Sequence, residues 1–323
     1  MTRRTPERGA PAAASDGDLS ELLAEVRRIQ VQSRRLVTGV MAGGYGSVFR
    51  GHGIEFDEVR EYVDGDDPRA VDWNVTARVG RPFVKKYVDE RELTVLFLLD
   101  LSASMTGGFG PWSARQIAAR VCACLALSAL ENHDKVGLIA FSDAVDRYVP
   151  ATKGLSHVLR IVRDCLALPG RSVRTRLAPA LEFAGSVVRR HSVLFLISDF
   201  LVDDDGGDDW QAALALCARR HDVVAVRLLT PELEPPPRGL VRVRDPERAP
   251  GSGDELRVDW SSPRVRAFQT DGVARWREQT AAALRRARVD RMDVLVPRVA
   301  GKDVVARPIL EFFRMRELRG AKR

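Results

Sequence analysis

Five stretches of this chain run almost without polar relief and then stop: Leu93–Leu99 ahead of Asp100, Val136–Phe141, Val193–Ile197 between Ser192 and Ser198, Val223–Val226, and Met292–Val296 near the end. Unbroken apolar runs of this length mark strands buried on both faces, as parallel strands of α/β proteins are. Between and after them the apolar residues return at helical spacing, over Ser113–Glu131, Leu155–Leu168, Leu177–Arg190, Trp210–Arg220, Val265–Arg288 and Val304–Leu318. Strand and helix in alternation predict a doubly wound, mostly parallel sheet over 93–318, of the α/β Rossmann-like class. A hairpin-like insertion, 239–260, interrupts it.

Ahead of this domain lies an N-terminal flank, 18–92. Leu22, Leu23, Val26, Ile29, Val31 and Leu36 predict a helix over Leu19–Val37, with Asp16 or Asp18 as its cap. A Gly-rich connector, Gly39–Gly53, and a polar extended segment, Ile54–Glu92, follow. That segment has turn signals at Asp64-Gly65-Asp66-Asp67-Pro68 and Val79-Gly80-Arg81-Pro82. The Arg/Pro/Ala/Gly-rich tail 1–17 and the tip Pro246–Asp254 read as disordered, and 319–323 as a basic tail.

Composition changes this picture little. With 45% hydrophobic residues the chain reads as a soluble globular protein. Its net charge of +7 suits acidic partners. The basic residues are interleaved with Asp and Glu, however, and no stripe mixes aromatics with Arg, which argues against nucleic acid. Cys122, Cys124, Cys165 and Cys217 fall in apolar segments without a Cys-x-x-Cys pair, so buried free thiols are expected. No apolar run reaches the ~20 residues a bilayer needs, and no signal-peptide core follows Met1. The expected location is cytoplasmic.

In a doubly wound sheet, ligands bind at the carboxyl ends of the strands, near a topological switch point. The first strand there ends in Asp100, and its loop supplies the hydroxyls of Ser102 and Ser104. A later strand ends in Ser198-Asp199-Phe200, and Thr175 lies in a loop before a helix. Two carboxylates and up to three hydroxyls suit a hard cation, Mg²⁺ or Mn²⁺, which prefers octahedral oxygen ligands. Uncharged hydroxyls would leave such an ion electrophilic toward a carboxylate from outside. The competing reading makes Asp100 or the serines a cap for the helix expected from about Pro111.

Other motifs fall away. Gly43-Gly44-Tyr45-Gly46-Ser47-Val48 mimics a kinase Gly-rich loop, but no His-Arg-Asp or Asp-Phe-Gly accompanies it. Asp64, Asp66 and Asp67 lack EF-hand spacing and read as a solvated turn. The Asp203-Asp204-Asp205 run, with Asp208 and Asp209, reads as a charged loop and helix cap. The five histidines show no ligand spacing, and His191 and His221 are expected at the surface just before strands. The five tryptophans are dispersed, and core packing is expected of them.

Asp100-x-Ser102-x-Ser104 at the end of an apolar strand resembles the metal-ion-dependent adhesion site of von Willebrand factor A domains. The resemblance implies Asp100, Ser102 and Ser104 as first-motif ligands, Thr175 as the middle ligand, and Asp199 as the last carboxylate. Gly53-Ile54-Glu55-Phe56, Arg60-Glu61-Tyr62, Gly65-Asp66-Asp67-Pro68-Arg69 and Asp72-Trp73 resemble the bacterial family called domain of unknown function 58. This likeness covers about Arg34 to Arg316, and Arg34-Arg35-Leu36-Val37 with Ala42-Gly43-Gly44-Tyr45 is similar to its soluble members. It implies a von Willebrand A-type fold and partnership with MoxR-type AAA+ ATPases. The middle motif departs from the family: Arg174-Thr175-Arg176 stands where relatives read Gly-Thr-Asp. The expectation is a non-enzymatic, metal-dependent interaction protein whose ion takes an Asp or Glu from a protein partner. The alternatives are a metal-assisted hydrolase using the same rim and a metal-free scaffold.

Overall fold

The computed structural model describes residues 55–63, 66–67, 71–88, 92–107, 110–202, 209–244, 255–299 and 304–320, with 24, 27, 28 and 31 besides. Most of the expected helix Leu19–Val37, the connector Gly39–Gly53 with its kinase-like loop, the runs Asp203–Asp205 and Pro246–Asp254, and the tail 1–17 lie outside the described residues.

In chain order the elements are β1 Glu55–Glu61, α1 Trp73–Val79, β2 Phe83–Val88, β3 Thr94–Asp100, α2 Ala114–Glu131, β4 Lys135–Phe141, β5 Val145–Thr152, α3 Leu155–Ala167, α4 Ala178–Val187, β6 Val193–Ser198, α5 Trp210–Ala218, β7 Asp222–Leu229, β8 Leu240–Arg244, β9 Glu255–Asp259, α6 Pro263–Arg286, β10 Asp290–Leu295 and α7 Ala306–Gly320. Six strands form the central sheet in the order β10-β7-β6-β3-β4-β5. All neighbours are parallel except β4 and β5. The expected fold class, doubly wound and mostly parallel, is the one the chain adopts.

Side-chain alternation along the strands divides the core. Val95, Phe97 and Leu99 of β3, with Val193, Phe195 and Ile197 of β6, join the layer under α2, α3 and α7. Leu96 and Leu98, with Leu194 and Leu196, join the layer under α4, α5 and the end of α6. Phe97 and Phe195 stack with ring centroids 5.6 Å apart. Burial of each such side chain stabilises the fold by about 1.5–3 kcal/mol. The four cysteines are buried free thiols, as expected.

The chain passes from β3 to β4 and β5 on one side and only then crosses to β6 on the other. The switch point therefore lies between the carboxyl ends of β3 and β6. Strand β5 has no counterpart in the hydrophobic pattern. It is an antiparallel edge with exposed Arg147 and Pro150, so it needs no continuous apolar run. It comes unusually close to β4, since a Cβ on Gly137 would lie 2.9 Å from the backbone of both Val149 and Ala151.

In the flank, β1 and β2 pair antiparallel around α1, which Asp72 caps. In the turn expected at Asp64-Gly65-Asp66-Asp67-Pro68, Asp67 is exposed and Asp66 is ion-paired, while Asp64 lies outside the described residues. Asp66 accepts two hydrogen bonds from Arg60, at 2.6 and 2.8 Å, and one from the Val63 N–H. Core packing fails for Trp73, which is 72% exposed at the first position of α1. The expected surface position fails for His221, buried against the layer because α5 packs over the start of β7, while His191 is exposed as expected. The final helix runs into the expected basic tail. Within it Arg316 binds Asp222 and Asp290 at 2.6–2.7 Å, and Arg319 binds Asp290 at 2.8 Å, clamping α7 to β7 and β10. The expected insertion is the β8–β9 hairpin.

Candidate metal centre

Asp100 closes β3 and is fully buried. Its Oδ1 accepts the Ser102 N–H at 2.8 Å, and its Oδ2 accepts the Ser198 hydroxyl at 2.6 Å. Burial pushes the Asp100 carboxyl above its usual range. The Ser198 and Ser102 hydroxyls, the Ser102 N–H and the charge of Arg115 pull the other way without cancelling it. A carboxylate offers about four lone-pair sites, so capacity remains beyond the bonds from Ser198 and Ser102. The Ser102 and Ser104 hydroxyls lie 3.1 Å apart, one donating to the other.

Helix capping does not account for these residues. Helix α2 begins at Ala114 and has its own capping box, in which Ser113 accepts the Gln116 N–H and Gln116 accepts the Ser113 N–H. Ser102 precedes a short 3₁₀ turn, Ala103–Met105, and makes no side-chain capping bond to it.

Asp199 follows the last residue of β6 and is 2% exposed. Its Oδ1 accepts the Leu201 N–H at 3.0 Å. Between them, Phe200 adopts φ 58, a left-handed conformation that is strained for a bulky side chain. Three contacts over-determine it: the ring is buried and packs edge-on to Trp210 at 6.0 Å, its carbonyl accepts the Trp276 Nε1–H, and its N–H reaches the Ser198 hydroxyl. The strain sits where the chain leaves the switch point, and it sets the exit direction of Asp199.

The loop 170–176 reaches the same edge, as expected of Thr175. The Ala103 N–H donates to the Val173 carbonyl and the Arg176 N–H to the Ser142 carbonyl, while the Ser142 hydroxyl accepts the Ser172 N–H. Gly170 allows the closest approach: a Cβ there would stand 2.3 Å from the Leu101 carbonyl oxygen. Thr175 is 1% exposed, whereas Arg174 and Arg176 on either side are exposed. The middle-position threonine is thus buried while the arginines on either side of it are exposed. Arg115 fixes the other end of this loop by donating to the carbonyls of Cys165 and Leu168 at the end of α3.

Of these oxygens, the two serine hydroxyls can be compared with the spacing a hard cation requires. Two ligand oxygens at about 2.0–2.1 Å from one ion, at right angles, are about 2.9 Å apart. The observed Ser102–Ser104 separation of 3.1 Å is close to that. Among the described residues no group of three or more His, Cys, Asp or Glu could hold a metal, so any centre here depends on hydroxyl ligands. The described histidines all lie at the opposite, amino-terminal edge. His133, His191 and His221 lead into β4, β6 and β7, and the His157 ring meets the Val136 carbonyl at 2.9 Å. Sequence reasoning missed Ser198 as the residue that holds Asp100, Gly170 as the point of loop contact, and Phe200 as a strained support. Only Ser198 left a signal, as a polar residue ending an apolar run.

A family described as "Protein of unknown function DUF58" matches residues 58–279. The chain is 31% identical over 285 residues to the uncharacterized protein Rv1480 of Mycobacterium tuberculosis, covering 87% of this chain and 84% of that one. It is similar to the crystal structure of the conserved hypothetical protein BatB from Bacteroides thetaiotaomicron, with TM-score 0.42 and 15% identity over 72% of this chain and 100% of that one. It is also similar to a von Willebrand factor type A structure from Catenulispora acidiphila, with TM-score 0.34 and 11% identity over 73% of this chain and 43% of that one. No helix among the described residues is long and apolar enough to cross a membrane. By the extent of the family match and the identity to its mycobacterial relative, this chain belongs to the family of unknown function DUF58.

Proposed function

We propose that the chain is a non-enzymatic interaction protein whose sheet edge binds Mg²⁺ or Mn²⁺ and, through it, a carboxylate of a protein partner. The observation that carries this reading is Asp100: a fully buried carboxylate, held from the neighbouring strand by Ser198, beside two hydroxyls at ligand spacing. A carboxylate that burial holds above its usual range gains most from a positive charge placed against it. Asp100, Ser102 and Ser104 would hold the ion, with Thr175 and Asp199 completing the set directly or through water. When bound, the ion would supply an electrophilic centre for an incoming Asp or Glu. The remaining work belongs to the protein: Ser198 fixes the Asp100 rotamer, and the Ala103–Val173 bond keeps the two loops in register. No imidazole among the described residues stands on this edge to act as a general base, which favours binding over hydrolysis.

The family resemblance points to a MoxR-type AAA+ ATPase as the partner, the pair acting in chaperone-like assembly or regulation. The test is recovery of that ATPase by immobilised wild type and Asp100→Ala, each in Mg²⁺ and in EDTA. Recovery confined to wild type in Mg²⁺ supports the reading. Equal recovery in all four conditions rejects metal-dependent recognition.

A further inference from the structure

Asp146 is the second residue of the edge strand β5, and its side chain is only 4% exposed. Among the described residues, neither of its carboxylate oxygens has a hydrogen bond of ordinary geometry. A carboxylate in that position is costly to bury unless it is paired. Burial pushes the Asp146 carboxyl above its usual range. The Ser142 hydroxyl, the Arg171 N–H and the Arg171 charge pull it down without cancelling the rise, to which the charge of Asp143 adds. Arg171 belongs to the loop that carries Thr175. Its Nε stands 4.0 Å from Asp146 Oδ1, about 1 Å beyond hydrogen-bond length, while its side chain is 77% exposed. The backbone on both sides of Arg171 is already placed, since Gly170 lies against the Leu101 carbonyl and the Ser172 N–H donates to the Ser142 hydroxyl. Rotation of the Arg171 side chain is therefore enough to close the gap. The freedom Arg171 gives up opposes closure, and the pairing of a buried carboxylate favours it. That balance leaves the contact sensitive to anything else that orders the loop.

We infer that Asp146 is a positioning residue for the rim: Arg171 closes onto its carboxylate as a latch that ties the Thr175 loop to β5, and the latch tightens when the rim holds an ion. The second half rests on the metal-site reading above, whereas the latch itself needs no ion. An ion bound through Thr175 restrains the loop near one end, and the Arg171–Asp146 pair restrains it near the other. Two restraints on one short loop share a single ordering cost, so each strengthens the other, and the coupling is reciprocal.

The test uses the full chain as wild type, Asp146→Asn, Arg171→Ala and the double variant, with circular dichroism to show that each is folded. Calorimetry reads Mg²⁺ affinity. Hydrogen exchange, in Mg²⁺ and in EDTA, reads the Ser172, Arg174 and Arg176 amides, each of which is hydrogen-bonded. Each single substitution is expected to weaken Mg²⁺ binding about fivefold, and the double variant no further than either. Arg171→Lys, which keeps the charge but not the fork, should recover part of the loss. In EDTA, Arg171→Ala should speed exchange of the three amides in the wild-type background and leave it unchanged in the Asp146→Asn background. Losses of affinity that multiply in the double variant overturn the inference, as does a Mg²⁺ affinity that neither substitution changes. If wild type binds no Mg²⁺, the metal reading fails, and exchange in EDTA alone decides the latch: an Arg171→Ala effect that vanishes with Asp146→Asn upholds it, and the absence of any effect overturns it.

Discussion

The Ser198 hydroxyl donates to Asp100 Oδ2 at 2.6 Å, joining the ends of two adjacent parallel strands across 98 residues of sequence. The bond crosses the switch point of the sheet, and both of its residues are fully buried. Replacing Ser198 with Ala leaves a buried carboxylate oxygen without its donor, which costs about 1–3 kcal/mol. Urea denaturation of Ser198→Ala should show a loss in that range, and calorimetry a weaker Mg²⁺ affinity. Unchanged stability together with unchanged affinity would remove Ser198 from the account.

Gly170 and Leu101 define the contact between the two ligand-bearing loops. In Gly170→Ala the new methyl meets a carbonyl oxygen, which cannot swing away as a flexible side chain can. The loops must separate, at a cost of about 1–3 kcal/mol. The variant should remain folded by circular dichroism, lose stability in that range and bind Mg²⁺ less tightly. A variant as stable as wild type would show that the loops tolerate being apart.

Capping and ligation fall on different serines, which makes them separable. Loss of the Ser113 cap is expected to cost about 0.5–2 kcal/mol without changing metal affinity. Ser102→Ala should show the reverse pattern, weaker Mg²⁺ binding with less effect on α2. If Ser113→Ala alone weakened metal binding, the assignment of the first-motif loop would be wrong.

His221 gives the fold a pH dependence with a definite sign. Burial first, then the charges of Arg220 and His191, hold its imidazole below the ordinary value of 6.5. The unfolded chain takes up a proton below that pH while the folded chain resists it. Stability should therefore be level above pH 6.5 and fall as pH drops from 6.5 toward the lower folded value. Denaturation of wild type and His221→Leu between about pH 7.5 and 5 reads this directly, with the variant showing the shallower decline. Parallel curves would contradict it.

Strands β3, β4, β6 and β7 were legible in the sequence because helices cover both of their faces, which forces continuous apolar runs. Strand β5, an edge, carries Asp146, Arg147 and Pro150 and leaves no such run. Of the site, Asp100 and Asp199 were readable as carboxylates at strand ends, and Thr175 as a hydroxyl in a loop before a helix. The Ser198 bond was not, since nothing local to either strand encodes which residue stands opposite. Gly170 was equally silent, because the Leu101 carbonyl that requires a glycine there lies 69 positions earlier in the chain. Trp73 misled because its exposure depends on how α1 lies in the flank, and a tryptophan's hydrophobicity alone predicts burial.

The central claim is that Asp100 stays buried and ionisable in order to meet a cation, and Asp100→Asn tests it most directly because the amide preserves the shape of the side chain. Removing a buried charge offsets the loss of one accepting oxygen, so the metal-free variant should remain folded. Titration calorimetry paired with thermal unfolding should show wild type binding one Mg²⁺ and gaining about 2.7 kcal/mol of stability at a hundredfold excess over its dissociation constant. The variant should show neither heat nor shift. A wild type that ignores Mg²⁺ and Mn²⁺, or an Asn variant that binds them equally well, would contradict the account.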